Sequence, residues 1–286
     1  MSDPRALIFV GAHPDDESFG LGATLAHYAL QGVKTYYACA TRGEVGTVDP
    51  KFMDGFDSIG DMRWAELACA AEALGLAGFM HLGYRDSGMP GSPDNQHPQA
   101  LAAAPLEEAT GRVVRVLRDL RPQVVVTFDP IGGYKHPDHI AIHNATVAAF
   151  KAAGQAAQYP EAGPAWQPQK LYYQVFPRGI FKAAVRVLPL FGRDARRFGR
   201  NHDIDLVDLA AVDFPVHARL SVGAEALERG RAASACHKSQ LDSGPSTNGL
   251  MGLLFRLMPR GEVFMRAEPA VAGKAPRETD LFAGVA

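Results

Sequence analysis

Residues Ala6-Leu7-Ile8-Phe9-Val10-Gly11-Ala12-His13-Pro14-Asp15-Asp16-Glu17 decide how this chain folds. Five apolar residues run without alternation, two small residues follow, and then imidazole and carboxylate groups crowd around a proline. An unbroken apolar run of this length is the pattern of a strand buried on both faces, as in a parallel sheet. The carboxylates that come so soon after it exclude a secretory signal, whose apolar segment is longer and lacks them.

Working outward, short runs rich in Val, Ile, Tyr or Phe recur at residues 34–40, 78–82 and 123–128, with later ones at 170–176 and 262–266. Helical stretches separate them at 22–31, 61–74 and 106–120, the first two stopped by Gly32 and Gly75 and the third by Arg121-Pro122. Alternating strands and helices predict an α/β fold, a mostly parallel sheet with helices on both faces. Ligands of such sheets lie beyond the carboxyl ends of the strands. That gives a functional claim to four loops, 11–17, 41–44, 83–88 and 129–139. Beyond residue 150 the pattern weakens. Residues 154–168 read as an exposed connection, 180–200 as a basic helix broken by Pro189 and Gly192, 221–237 as a helix, and 269–286 as a loose tail.

Two of the four loops carry ligand chemistry. His13, Asp15, Asp16 and Glu17 follow the first strand, and His136, Asp138 and His139 follow the fourth, some way down the chain. Imidazole nitrogen with carboxylate oxygen is a donor set for zinc or a similar divalent ion, and a catalytic zinc takes three protein ligands and leaves a place for water. His13 and Asp16 can reach one ion across a tight turn, leaving Asp15 free. Pro137 suits the first position of a helix, which makes His136 its cap and puts His139 one turn inward. Either His136 or His143 could pair with His139.

The chain has 286 residues, 47% hydrophobic and 21% charged, the make-up of a globular protein with a substantial core. Its 29 Lys and Arg against 31 Asp and Glu leave a formal charge of −2, with no field to attract nucleic acid. No run approaches the roughly 20 apolar residues of a membrane span. Cys39, Cys69 and Cys236 are too few for a disulfide framework, so Cys39 and Cys69 read as core residues and the cytoplasm as the expected compartment.

Taken together, Ala12-His13-Pro14-Asp15-Asp16-Glu17 and His136-Pro137-Asp138-His139 resemble the PIG-L or LmbE family of zinc-dependent de-N-acetylases, with Thr41-Arg42-Gly43-Glu44, Arg63 and Glu66 as weaker supports and a faint echo at His237-Lys238-Ser239-Gln240. Asp86-Ser87-Gly88-Met89 and Gly132-Gly133-Tyr134 are similar to the branch acting on glucosaminyl-inositol compounds of the mycothiol pathway, although Lys135 replaces the glycine usual before the second motif. The resemblance implies a Rossmann-like fold and one Zn2+ held by His13, Asp16 and His139, with Fe2+ able to take the same ligands. It implies Asp15 as general base. His136 would stabilise the oxyanion or protonate the leaving amine, oriented by Asp138. Arg63, Asp86, Tyr134 and Glu44 would meet the substrate, Tyr134 as a gate, an oxyanion donor or an aromatic lid. The expected partner is a small-molecule amino-sugar conjugate from which an N-acetyl group is removed. Cleavage of a bulkier glucosaminyl-inositol thiol conjugate, or metal-dependent sugar binding without catalysis, are the alternatives. One catalytic domain is expected over 1–268, with 1–150 forming sheet and metal rim and 151–268 walling the pocket; a homo-oligomer is compatible with it.

Overall fold

The computed structural model describes residues 5–176, 178–198, 204–241, 262–271, 273 and 277–286. In chain order its elements are β1 (Ala6–Gly11), α1 (Asp16–Phe19), α2 (Gly22–Leu30), β2 (Lys34–Cys39), α3 (Ile59–Leu74), β3 (Gly78–His81), α4 (Leu106–Leu120), β4 (Val124–Phe128), α5 (Gly132–Lys135), α6 (Pro137–Ala152), β5 (Lys170–Val175), α7 (Arg178–Val187), α8 (Leu206–Leu209), β6 (Ala218–Arg219), α9 (Ala224–Cys236), α10 (Lys238–Leu241) and β7 (Val263–Glu268). The fold is α/β, and the strands form one sheet in the order β3-β2-β1-β4-β5-β7-β6. The first five run parallel, while β7 pairs antiparallel with both β5 and β6.

All six residues of β1 are buried, which is what its unbroken apolar run requires. Helices α2, α3 and α9 pack together over one face, and α4 and α6 over the other. The local signals act where expected. Ser58 caps α3 by accepting the Asp61 amide at 3.1 Å, so that helix starts two residues before the sequence reading placed it, and Gly75 ends it at φ 74°. Between β1 and β4 the strand order reverses. The chain leaving β1 turns toward one face and the chain leaving β4 toward the other, so a crevice opens between the loops that follow.

Residues beyond 150 depart from expectation in three ways. The broken basic stretch forms α7 and a short 3-10 turn at Leu188–Phe191, and with α8 it builds a small second core around Leu188, Leu206 and Leu209, against which Ile131 and Tyr134 pack. The segment read as a loose tail is anchored, because Leu281 and Phe282 are buried in the main core and Glu278 pairs with Lys170 at 2.9 Å. Apolar side chains spaced too sparsely to register as an element supply that anchor. Third, Cys69 of α3 and Cys236 of α9 form a disulfide, 167 residues apart in sequence, leaving buried Cys39 free. Cys69 is thus bonded rather than a free core thiol, and the cysteine count gives no support to a cytoplasmic compartment. No helix among the described residues is long and apolar enough to cross a membrane.

Candidate metal centre and active site

The loop after β1 is a knot of short hydrogen bonds. The Ala12 and His13 amides both donate to Asp16 Oδ2, at 3.0 and 2.7 Å. From β2 and its loop, the Tyr37 hydroxyl donates to the His13 carbonyl at 2.6 Å and the Thr41 hydroxyl to the Ala12 carbonyl at 2.9 Å. Asp15 pays for this compactness with φ 123°, a backbone strain costing about 1–3 kcal/mol in a non-glycine residue. Its carboxylate accepts from the Arg63 guanidinium at 3.0 Å.

Across the crevice, Pro137 opens α6 and His136 caps it, its Nδ1 accepting the Asp138 amide at 3.2 Å. His139 lies one turn in, its ring stacked on Phe128 with centroids 3.9 Å apart. Gly132 makes room for it. At φ 65°, a Cβ there would sit 2.8 Å from the His139 Cβ and 2.9 Å from the Ile140 amide.

The two loops meet at His13. His13 Nδ1 and His139 Nε2 are 3.2 Å apart, His139 Nε2 and Asp16 Oδ1 3.5 Å, and His13 Nδ1 and Asp16 Oδ2 3.8 Å. Donors about 2.1 Å from a tetrahedral ion lie about 3.4 Å from one another, so these separations, with Asp16 turning Oδ1 to His139 and Oδ2 to His13, are of the size a metal site needs. Its surroundings fit as well. His13 Nε2 bonds to Asp138 Oδ2 at 3.1 Å, the carboxylate support typical of a metal-bound imidazole, and Asp138 in turn accepts the Ser87 amide at 2.9 Å and the Ser87 hydroxyl. Burial works against a charge on His13, yet Asp86, Asp138 and Asp16 around it hold the imidazole well above its usual range. A field that favours a proton so strongly favours a divalent cation too. His136 completes a second close grouping with His13 and His139.

His13, Asp15, Asp16, His136, Asp138 and His139 converge as a cluster, and His143 does not join it, since its Nδ1 bonds to the Phe128 carbonyl at 2.8 Å and its ring packs on Tyr173. The Asp138 side chain orients His13 rather than His136, which it holds only through its backbone amide. A cavity of about 310 Å3 opens beside the cluster, lined by Asp15, Arg63, Asp86, Met89, Tyr134 and His136 among others. Glu44 does not line it. Its carboxylate accepts the Asp86 amide at 3.0 Å and so fixes the loop that carries Asp86. Nor do residues of the C-terminal half line it, among those described; they brace the rim from behind. A wider groove of about 870 Å3 along α4, near Arg112 and Tyr159, contains none of the cluster.

Burial pushes the Asp15 carboxyl up to about 6, against the pull of Arg63. Burial together with the neighbouring His13 and His139 rings holds His136 well below the usual imidazole range. A neutral His136 whose Nδ1 accepts an amide carries its proton on Nε2, which leaves that N–H as a donor.

A pair that the sequence reading passed over lies beneath Asp15. Glu17, fully buried, accepts the Asp15 amide at 2.9 Å and His237 Nε2 at 2.6 Å. The adjacency of Glu17 to the motif and the echo at His237 were the only signals, and 220 residues separate them.

The family model described as "PIG-L: GlcNAc-PI de-N-acetylase" matches residues 8–150, the stretch that builds the sheet centre and both loops. The chain belongs to the PIG-L family. It is 37% identical to a 1D-myo-inositol 2-acetamido-2-deoxy-alpha-D-glucopyranoside deacetylase of Geodermatophilus obscurus, an alignment covering 100% of this chain and 99% of the relative. Among solved structures it resembles the N,N'-diacetylchitobiose deacetylase of Pyrococcus horikoshii, with a TM-score of 0.61 at 19% identity over 92% of this chain and 84% of that one. A 4-carboxy-2-hydroxymuconate hydratase of Pseudomonas putida is nearly as close in shape, with a TM-score of 0.59 at 16% identity over 95% and 100%. The fold alone therefore does not choose a reaction. Sequence kinship does, and this PIG-L protein is an amide hydrolase that removes N-acetyl groups from an amino-sugar conjugate.

Proposed function

We propose that the substrate is an N-acetylglucosaminyl-inositol, as named for the full-length relative, and that one zinc ion held by His13, Asp16 and His139 serves the reaction. The observation that carries this reading is the convergence of the His13, Asp16 and His139 side chains, with Asp15 beside them in the wall of the cavity. Two imidazoles and one carboxylate in a compact set favour zinc over the oxygen-preferring calcium and magnesium.

When bound, the ion supplies a Lewis acid that polarises the amide carbonyl and makes a water easier to deprotonate. Asp15 takes that proton. A carboxyl near pKa 6 is ionised at neutral pH yet basic enough to accept it, and close enough to neutrality to release it again. As water oxygen adds to the carbonyl carbon, charge develops on the carbonyl oxygen, and His136 Nε2–H is the donor aimed to meet it, a contribution of about 3–4 kcal/mol per donor in other enzymes. The Asp15 proton then passes to the amide nitrogen as the carbon–nitrogen bond breaks, yielding acetate and the free amine. His136 thus works as a neutral donor, and Asp15 serves first as base and then as acid. Arg63 holds Asp15 in place through its carboxylate and the Pro14 carbonyl, the latter at 2.6 Å. Asp86, beside it in the wall, is left to accept sugar hydroxyls.

The test pairs metal content with turnover. Asp15→Ala retains one zinc per chain and loses nearly all acetate release from the inositol glycoside, whereas His13→Ala loses the zinc. Retained turnover in Asp15→Ala sinks the assignment. A higher kcat/KM on a bulkier thiol conjugate of the same sugar would redirect the substrate reading to amidase action.

A further inference from the structure

Asp15 is held at both ends, and both holds belong to one cross-braced unit. Arg63 of α3 grips its carboxylate, and Glu17 accepts its backbone amide. Glu17 is itself fixed by His237 Nε2 at 2.6 Å and by the Ser18 hydroxyl at 2.6 Å, with Glu17 and His237 both fully buried. His237 sits at the end of α9, where the Cys69–Cys236 disulfide ties that end to α3. Two residues on, the Ser239 amide and hydroxyl both donate to Glu66 of α3, each at 2.8 Å. Of these groups Asp15 and Arg63 line the cavity, whereas Glu17, Ser18, Glu66, His237 and Ser239 do not.

We propose that Glu17 and His237 are positioning residues for the hydrolysis, holding Asp15 at its left-handed backbone angle so that its carboxylate stays over the candidate metal site. This rests on the reading of Asp15 as the base. The physical reason is that φ 123° is unfavourable for aspartate, so the loop keeps it only while a partner fixes the amide. A buried carboxylate accepting that amide is such a partner, and an imidazole donor keeps the carboxylate from turning away. With His237 gone, Glu17 is free to swing, and Asp15 relaxes toward an ordinary backbone angle.

The experiment uses the zinc-loaded full chain with 1D-myo-inositol 2-acetamido-2-deoxy-alpha-D-glucopyranoside, and the metal-free protein for spectroscopy. For His237→Ala the expected result is a kcat lowered about 10–100-fold, the usual cost of losing a supporting partner, with KM within twofold and zinc stoichiometry unchanged. In the metal-free protein the Asp15 amide proton resonance moves upfield as its charged acceptor is lost. His237→Gln, whose side-chain N–H2 can reach the same carboxylate, recovers most of both. Glu17→Gln gives the same pattern as His237→Ala and serves if the latter folds poorly. In an Asp15→Ala background, His237→Ala adds nothing further. Equal losses in His237→Ala and His237→Gln, an unmoved Asp15 resonance, or an undiminished effect in the Asp15→Ala background each overturn the positioning role. Full turnover in Asp15→Ala alone overturns instead the reading on which it rests.

Discussion

The two loops that face each other across the crevice are built on opposite plans. The first, residues 12–17, is pinned by Tyr37, Thr41, Arg63 and Glu17, so nearly every polar atom of its backbone has a buried partner. The second, residues 129–136, is held at its root, where Asp129 Oδ1 accepts the Ile131 and Gly133 amides at 3.0 and 2.9 Å, and by the Lys135 amide bonding back to the Ile131 carbonyl at 3.1 Å. Its tip, Tyr134-Lys135, leans on the small second core and on a half-exposed ion pair between Lys135 and Asp208. Positive φ angles at Gly132, Gly133 and Lys135 let it turn sharply. The difference assigns labour. On the proposed mechanism the rigid loop would set the distances that proton transfer needs, and the tip, through Tyr134, would wall the substrate side of the cavity.

The largest test of that division lies at the support of His13, where the loops join. Asp138→Ala strips the acceptor from His13 Nε2 and from the Ser87 amide and hydroxyl. Zinc affinity falls about 10–100-fold, as for other carboxylates behind metal-bound imidazoles, and chelator competition measures it. An unchanged dissociation constant would show that the site needs no such support. A smaller effect is expected at the root of the second loop. Gly132→Ala places a Cβ 2.8 Å from the His139 Cβ at φ 65°, which costs more than about 1 kcal/mol. In a chain of this size that lowers Tm by at least about 2–4 °C in a calorimetric scan. A Tm equal to that of the parent would mean that the root, like the tip, can yield.

Most of what centres the sheet was legible in sequence because it is local. The unbroken run in β1, the proline at the start of α6 and the glycine after α3 act within a few residues of themselves. The convergence of His13, Asp16, His136 and His139 was legible because these residues are dense in two short motifs and the strand order brings both motifs to one crevice. What stayed hidden depends on long-range pairing. Nothing near Glu17 announces His237, nothing near Cys69 announces Cys236, and the anchoring of Leu281 and Phe282 depends on where the far end of the chain returns. Glu44 shows a subtler failure. Its place in a rim loop was legible, but whether its carboxylate faces the cavity or the Asp86 amide is settled by a rotation about its own side chain.

The finest test concerns Lys135, at the tip of the second loop. Lys135 stands at φ 69° and pairs with Asp208, both half-exposed. A pair so open to water contributes at most about 1 kcal/mol, which sets a ceiling of about fivefold on any rate or affinity it controls. Lys135→Gly removes the pair and relieves the left-handed strain at once, so the two changes offset each other in stability. The expected outcome is a KM shift below about fivefold with kcat unchanged, because Tyr134 and not Lys135 lines the cavity and the proton-transfer distances belong to the other loop. A kcat loss of tenfold or more in steady-state assays would show instead that the tip of the second loop helps set the chemistry assigned to the first.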